Sequence, residues 1–309
     1  MRILMIGGTR FIGPRVVRRL ACDGHEVAVF YRGEHEACLP ADVVRFKTPN
    51  ARIPVTHITE ELKAYSPDVV LHMIAMGERD AEAARDAFVG IARRMVVLSS
   101  GDVYRAYGIF KGTEEGSLEP MPLTESAPLR SRLYPYRTSD TPPDALEYYY
   151  DKILVERTIT ADARLPSTVL RLPKVYGAGD NADLATVYGF RGHPHWRWTH
   201  GYVDNVAQAT ALTIENEAAS GRIYNVGEET TPTIAERLRY LPEKPHAPLF
   251  DQPANFSQDI VYDTNAIRQE LSYREVIPER EAMRDLCRES ARAEVGAMSR
   301  LGPGSSGCA

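Results

Sequence analysis

The stretch RILMIGGTRFIGPRVVRRLACDGHEVAVFY, residues 2–31, decides the fold. Arg2 to Ile6 is a short apolar run ending in Gly7-Gly8, the pattern of a buried strand that runs into a tight turn. From Phe11 to Cys22 the spacing is helical, with Ile12, Val16, Val17 and Leu20 on one face, and Asp23-Gly24 stops it. Glu26 to Tyr31 is a second β-rich run. Strand, glycine turn, helix, glycine and strand in succession make one βαβ unit.

The alternation continues outward from this unit. Val43–Phe46, Asp68–Ala75, Met95–Ser99 and Thr168–Leu172 read as further strands, and Arg222–Val226 as a late one. Helical patterns separate them at 57–65, 78–94 and 144–161, the last as one long helix. Strands that alternate with helices imply α/β architecture, a doubly wound parallel sheet with right-handed crossovers. Residues 105–144 are rich in proline and glycine and read as an irregular insert. A helix is expected from about Asp204, and shorter ones at 234–240, 264–271 and 279–294 form a smaller lobe over the strand ends. The expected division is a first domain over 1–175 to which 201–227 return, a cap from 176–200 and 228–300, and a flexible tail at 301–309.

Composition excludes several classes. Of the 309 residues 43% are hydrophobic and 26% charged, which is ordinary for a globular protein and argues against disorder. The net charge of −5 gives no basic excess for a nucleic-acid partner. No apolar run is long enough to span a bilayer, and no signal-peptide pattern opens the chain, so a cytoplasmic protein is expected. Cys22, Cys38, Cys287 and Cys308 have no zinc-ligand spacing, and His193, His195 and His200 have no carboxylate partners at metal spacing, so no metal is expected.

The turn from Gly7 to Gly13 offers backbone N–H groups and a helix N-terminus to a pyrophosphate, the geometry of dinucleotide binding. The acidic residue that would hold the ribose of NAD is missing after the second strand, where Phe30-Tyr31-Arg32-Gly33 stands. Arg32, with Arg10 in the turn, suits the 2′-phosphate of NADP, so NADP is favoured over NAD. The other reading leaves Arg32 in solvent and gives the ribose to Glu34.

Tyr148 and Lys152 lie four apart, on one face of the expected long helix. An ammonium beside a phenol lowers its pKa, so such a tyrosine can exchange a proton with a substrate hydroxyl. Leu98-Ser99-Ser100-Gly101-Asp102-Val103-Tyr104 closes the fifth strand and can supply a serine to the reacting oxygen.

With these segments the chain resembles the short-chain dehydrogenase/reductase superfamily, and most of all its extended, atypical epimerase/dehydratase branch. The resemblance rests on GGTRFIG, DVVLHMIA, LSSGDVY, Tyr148 with Lys152, LRLPKVYGAGD (170–180), GYVDNVAQA (201–209) and RIYNVGEE (222–229). It implies a Rossmann-type sheet and a Ser100–Tyr148–Lys152 triad, with Asp102 where related dehydratases carry a second acid/base. It further implies a cofactor site of Gly7, Thr9, Arg10, Phe11, Ile12, Gly13, Arg32, Ala75, Tyr148, Lys152, Pro173 and Val175. Lys174 and Arg197 would meet the substrate, a nucleotide sugar or related polyol epimerised or dehydrated through a transient ketone. A ketone or aldehyde reductase using NADPH is the alternative reaction. A non-catalytic nucleotide- or RNA-binding protein, like the plastid stem-loop RNA-binding relatives, is the alternative class. The oligomer would be a monomer or homodimer, because one helix of the family's dimer bundle looks shortened.

Plainer readings stand beside these. Asp102 suits a turn cap, Lys174 a solvated surface, the tryptophans Trp196 and Trp198 core packing, and the tyrosine-bearing insert a surface loop.

Overall fold

The computed structural model describes residues 1–300 apart from 36, 37, 50, 52 and 252, and of residues 291 and 293–300 the backbone alone. The tail expected at 301–309, with Cys308, lies outside the described residues.

The strands are β1 (Arg2–Ile6), β2 (Glu26–Tyr31), β3 (Val44–Lys47), β4 (Val69–His72), β5 (Arg94–Ser100), β6 (Ser167–Leu172), β7 (Lys174–Tyr176), β8 (His200–Tyr202) and β9 (Ile223–Asn225). Seven form one sheet in the order β3-β2-β1-β4-β5-β6-β9, and every pairing is parallel. The direction of winding reverses between β1 and β4, which opens a crevice beyond their carboxyl ends. β1 and β4 are apolar on both faces because helices cover both sides. The helices Gly13–Cys22, Val203–Glu215 and Asn265–Leu271 cover one face, and Glu60–Ala64, Glu78–Phe88 and Lys152–Thr160 the other.

β7 and β8 pair separately and carry the chain into the cap. There Phe110, Trp196, Phe190 and Phe256 pack as one aromatic cluster, with Phe110 stacked on Trp196 at 4.7 Å. The insert is not a free surface loop. Its helix Arg105–Phe110 joins this cluster, Leu123 N–H donates to the Val261 carbonyl at 2.7 Å, and Glu119 N–H donates to Gln258 Oε1 at 2.8 Å.

The expected long helix at 144–161 is broken in two. One turn covers Leu146–Tyr149, and a second helix begins at Lys152. The break has a local cause. Asp151 is extended, and its carboxylate accepts from Ile153 N–H at 2.9 Å and Leu154 N–H at 3.3 Å, a helix N-cap. Its own N–H donates to the Met76 carbonyl at 2.9 Å. The same carboxylate accepts from Arg130 Nη2 at 2.9 Å, and both side chains are buried. The proline- and glycine-rich insert is thus bolted to the start of the second helix. Arg130→Ala should lower the unfolding free energy by about 3–5 kcal/mol, because it strands a buried carboxylate. Chemical denaturation measures this, and a loss under about 1 kcal/mol would mean the pair behaves as a surface contact.

Candidate active site

The glycine turn is shaped as its sequence suggests. Gly8 has φ +108°, a backbone that side-chain-bearing residues rarely adopt. A Cβ on Gly13 would stand 2.3 Å from the Gly8 Cα, so the first helix can seat on the turn only through glycine. That helix has no acidic residue in its first turn. With no acidic residue of its own there, this N-terminus fits the phosphates of a dinucleotide.

A cleft of about 610 Å³ opens above the turn. Among the expected cofactor residues, Gly7, Thr9, Arg10, Phe11, Ile12, Arg32 and Lys152 line it. Gly13 lies behind the turn, and Ala75 is buried with its carbonyl taken by the Lys152 Nζ at 2.5 Å. Pro173 belongs to the neighbouring cavity, and Val175 points away into the core against the helix Val203–Glu215. The alternation of β7 explains this last departure: Lys174 faces the cavity, so Val175 cannot. At the far end Arg32 Nη2 is paired with Glu34 Oε2 at 2.5 Å, and both side chains are largely exposed. Both rival readings of the ribose end therefore share one spot.

A second cavity of about 370 Å³ adjoins the cleft, bounded by Ser100, Asp102, Tyr136, Lys174, Trp198 and Tyr262 among others. Tyr150 and Leu172 line both spaces. The Tyr150 hydroxyl donates to Asp102 Oδ2 at 2.9 Å, and the Ser100 hydroxyl interacts with the same phenol. Lys152 is buried and holds two carbonyls, Ala75 at 2.5 Å and Leu98 at 3.0 Å, with its Nζ 5.9 Å from the Tyr150 ring centroid. Burial pushes the Lys152 ammonium down to about 8, against the pull of Asp102, Asp80 and Glu156. Burial, and then the charge of Asp102, push the Tyr150 phenol up, so it keeps its proton at neutral pH.

Tyr148 stands elsewhere. It lines neither space; Arg137 lies 4.0 Å over its ring and donates to its carbonyl. The structure thus brings Ser100, Asp102 and Lys152 together around Tyr150. Tyr148 is out of register because the helix breaks between it and Lys152. The i, i+4 argument needed an unbroken helix. One signal was legible: an aspartate just ahead of the run Lys152-Ile153-Leu154-Val155 is a helix-start signature.

Arg197 is also displaced. It pairs with Asp259, Nε to Oδ2 at 2.8 Å, while its neighbour Trp198 faces the cavity. A one-residue step along an extended segment reverses the face. Trp196 is buried, with its Nε1–H donating to the Gln258 carbonyl at 2.8 Å, as core packing requires. His200 is buried between Thr186 and the Trp198 carbonyl, and its imidazole is held neutral mainly by burial. No cluster of potential metal ligands occurs among the described residues. No helix there is long and apolar enough to cross a membrane.

Comparison with known proteins agrees with this architecture. The model of the NAD dependent epimerase/dehydratase family matches residues 3–227. The chain belongs to that family, in the extended branch of the short-chain dehydrogenases/reductases. It is an NAD(P)-dependent enzyme of that type. It is 25% identical over 289 residues to the 2'-dehydrokanamycin reductase of Streptomyces kanamyceticus, covering 87% of this chain and 74% of that protein. The fold resembles Thermus thermophilus UDP-glucose 4-epimerase, solved with NAD, at a TM-score of 0.66, 20% identity, and 94% and 99% of the two chains. It also resembles Bacillus cereus UDP-glucuronic acid 4-epimerase, solved with UDP-glucuronic acid and NAD, at 0.67, 16% identity, and 94% and 100%.

The two tyrosines make opposite predictions. Tyr150→Phe should lower kcat by about 10²–10⁴-fold, the usual worth of a positioned acid or base. Tyr148→Phe should leave kcat within about twofold, because its hydroxyl touches neither space. Steady-state kinetics on both variants decides; a severe loss in Tyr148→Phe alone would restore the sequence-based assignment.

Proposed function

We propose that this enzyme reduces a ketone on a sugar-like substrate, a sugar nucleotide or related polyol, with NADPH, and that Tyr150 gives the proton. The observation that carries this reading is Tyr150 itself, which lies where the dinucleotide cleft meets the second cavity. The bound cofactor supplies the hydride. Ser100 holds the carbonyl oxygen, and Tyr150 protonates it as it becomes an alcohol. Lys152, fixed by two carbonyls, sits beneath the Tyr150 ring and stabilises negative charge on the phenol. Lys174, at the cavity wall with its Nζ 3.8 Å from Asp180, meets an anionic group of the substrate. The lobe over 176–200 and 228–300 forms the substrate cap, and the enzyme works in the cytoplasm.

One observation supports net reduction over internal epimerisation: a relative 25% identical over 87% of the chain is named a reductase. The second reading, epimerisation or dehydration through a transient ketone, is supported by the family. Stoichiometry separates the two. Purified enzyme is incubated with NADPH or NADH and a panel of keto-sugars and sugar nucleotides. One reduced cofactor consumed per product formed supports the reductase; product without net consumption supports the epimerase.

Cofactor choice follows from the Arg32–Glu34 pair. Arg32→Ala should weaken NADPH binding by about tenfold, the worth of one charged hydrogen bond, and leave NADH binding unchanged. Glu34→Gln should strengthen NADPH binding, since it frees Arg32 and removes a carboxylate from beside the phosphate. Fluorescence titration of the two cofactors reads both effects, and equal losses for NADPH and NADH in Arg32→Ala would refute the phosphate role.

A further inference from the structure

The proton that Tyr150 gives away must be replaced, and Lys152 is poorly placed to replace it. Its Nζ is engaged by two backbone carbonyls and stands 5.9 Å from the centre of the Tyr150 ring. The phenol hydroxyl donates to Asp102 instead. Asp102 Oδ2 accepts a second phenol as well, that of Tyr136, at 3.0 Å. Tyr136 comes from the 105–144 insert, its ring 5.2 Å from that of Tyr150, and it is 37% exposed. One carboxylate oxygen therefore joins a phenol beside the reacting atoms to the phenol of a partly exposed residue.

We infer that Tyr136 and Asp102 form a proton-carrying chain that recharges Tyr150 from water. This rests on the assignment of Tyr150 as the proton donor. The step balances. The Tyr150 O–H bond breaks and its proton goes to the substrate oxygen as the carbonyl carbon receives hydride from the reduced nicotinamide. Tyr136 passes its proton to Asp102, Asp102 passes one to the Tyr150 phenolate, and Tyr136 regains one from water. The net change is one water proton moved to the product.

The surroundings of Asp102 suit a relay. Its carboxyl is buried, and burial raises its affinity for a proton. Oδ1 has no hydrogen-bond partner, so no other group competes to hold the charge there. The charged and titratable groups that face Asp102 are Arg130 and Lys152, which favour the carboxylate, and Tyr150, Tyr136, Tyr107 and Tyr262. Arg130 Nε also donates to the Asp102 carbonyl at 3.0 Å. The relay is thus fixed in place by the residue that ties the insert to the helix cap. Tyr136 acts through Asp102 as a positioning residue, and the insert gains a part in the reaction.

Two measurements test this, one of them independent of any substrate. Fluorotyrosine is placed at position 150 in the full chain and titrated by fluorine NMR. Asp102→Asn should lower its midpoint by about one pH unit, a tenfold shift in the ratio of phenol to phenolate. An unchanged midpoint would show that the two groups are not coupled and would overturn the chain, whether or not a substrate is known. The second measurement uses Tyr136→Phe, which keeps the ring and removes only the hydroxyl. On a keto-sugar that the wild type reduces, kcat should fall by about tenfold with KM unchanged. The solvent deuterium isotope effect should rise, and small buffer acids such as imidazolium should restore the rate. A wild-type kcat and isotope effect, or a loss that buffer acids do not restore, would overturn the relay. If the midpoint shifts but no carbonyl compound is reduced, the proposed reaction fails while the coupling of the three groups stands.

Discussion

The ion pair of Arg130 and Asp151 is the constraint on which the site depends. It is fully buried, so the cost of removing two charges from water must be met by close geometry and by further hydrogen bonds. Asp151 meets that condition by accepting also from Ile153, Leu154 and Tyr134 N–H groups. Arg130 does so by donating to the carbonyl of Asp102. The pair therefore fixes three things at once: the start of the helix that carries Lys152, the direction of Tyr150 just before it, and the end of β5 with Ser100 and Asp102.

The sheet supplies the rest of the setting. Its winding reverses between β1 and β4, and the glycine turn after β1 leaves open backbone and a helix end with no acidic residue of its own at that point. The cap and the insert close the neighbouring space with aromatic side chains. Where these two spaces meet, chemistry between a dinucleotide and a second molecule is possible, and Tyr150 lies there. Hydride transfer needs both reactants within contact distance and shielded from water, which a junction of two cavities provides.

Much of this was legible in the chain. The βαβ unit at 2–31 could be read from periodicity and glycine placement because those signals are local: buried strands show continuous apolar runs, and a helix end needs glycine within one turn. Ser100, Asp102 and Lys152 stand out for the same reason, each sitting at the end or start of an element with a strong pattern. Three consecutive tyrosines leave the phase of a helix undetermined, so local pattern does not separate Tyr148 from Tyr150. An extended segment reverses its face at each residue, so Trp198 and not Arg197 faces the cavity.

The sequence by itself determined the parallel sheet and its glycine turn. Tertiary structure alone decided which tyrosine joins Ser100, Asp102 and Lys152, that the insert brings Tyr136 to Asp102, and that Arg197 is spent on Asp259. The physical reason is range. Strands, helices and turns are specified by neighbours a few positions apart. The direction of a side chain at a helix break is set by partners 21 and 34 residues away, as in Arg130 with Asp151 and Asp102 with Tyr136, which no local pattern encodes.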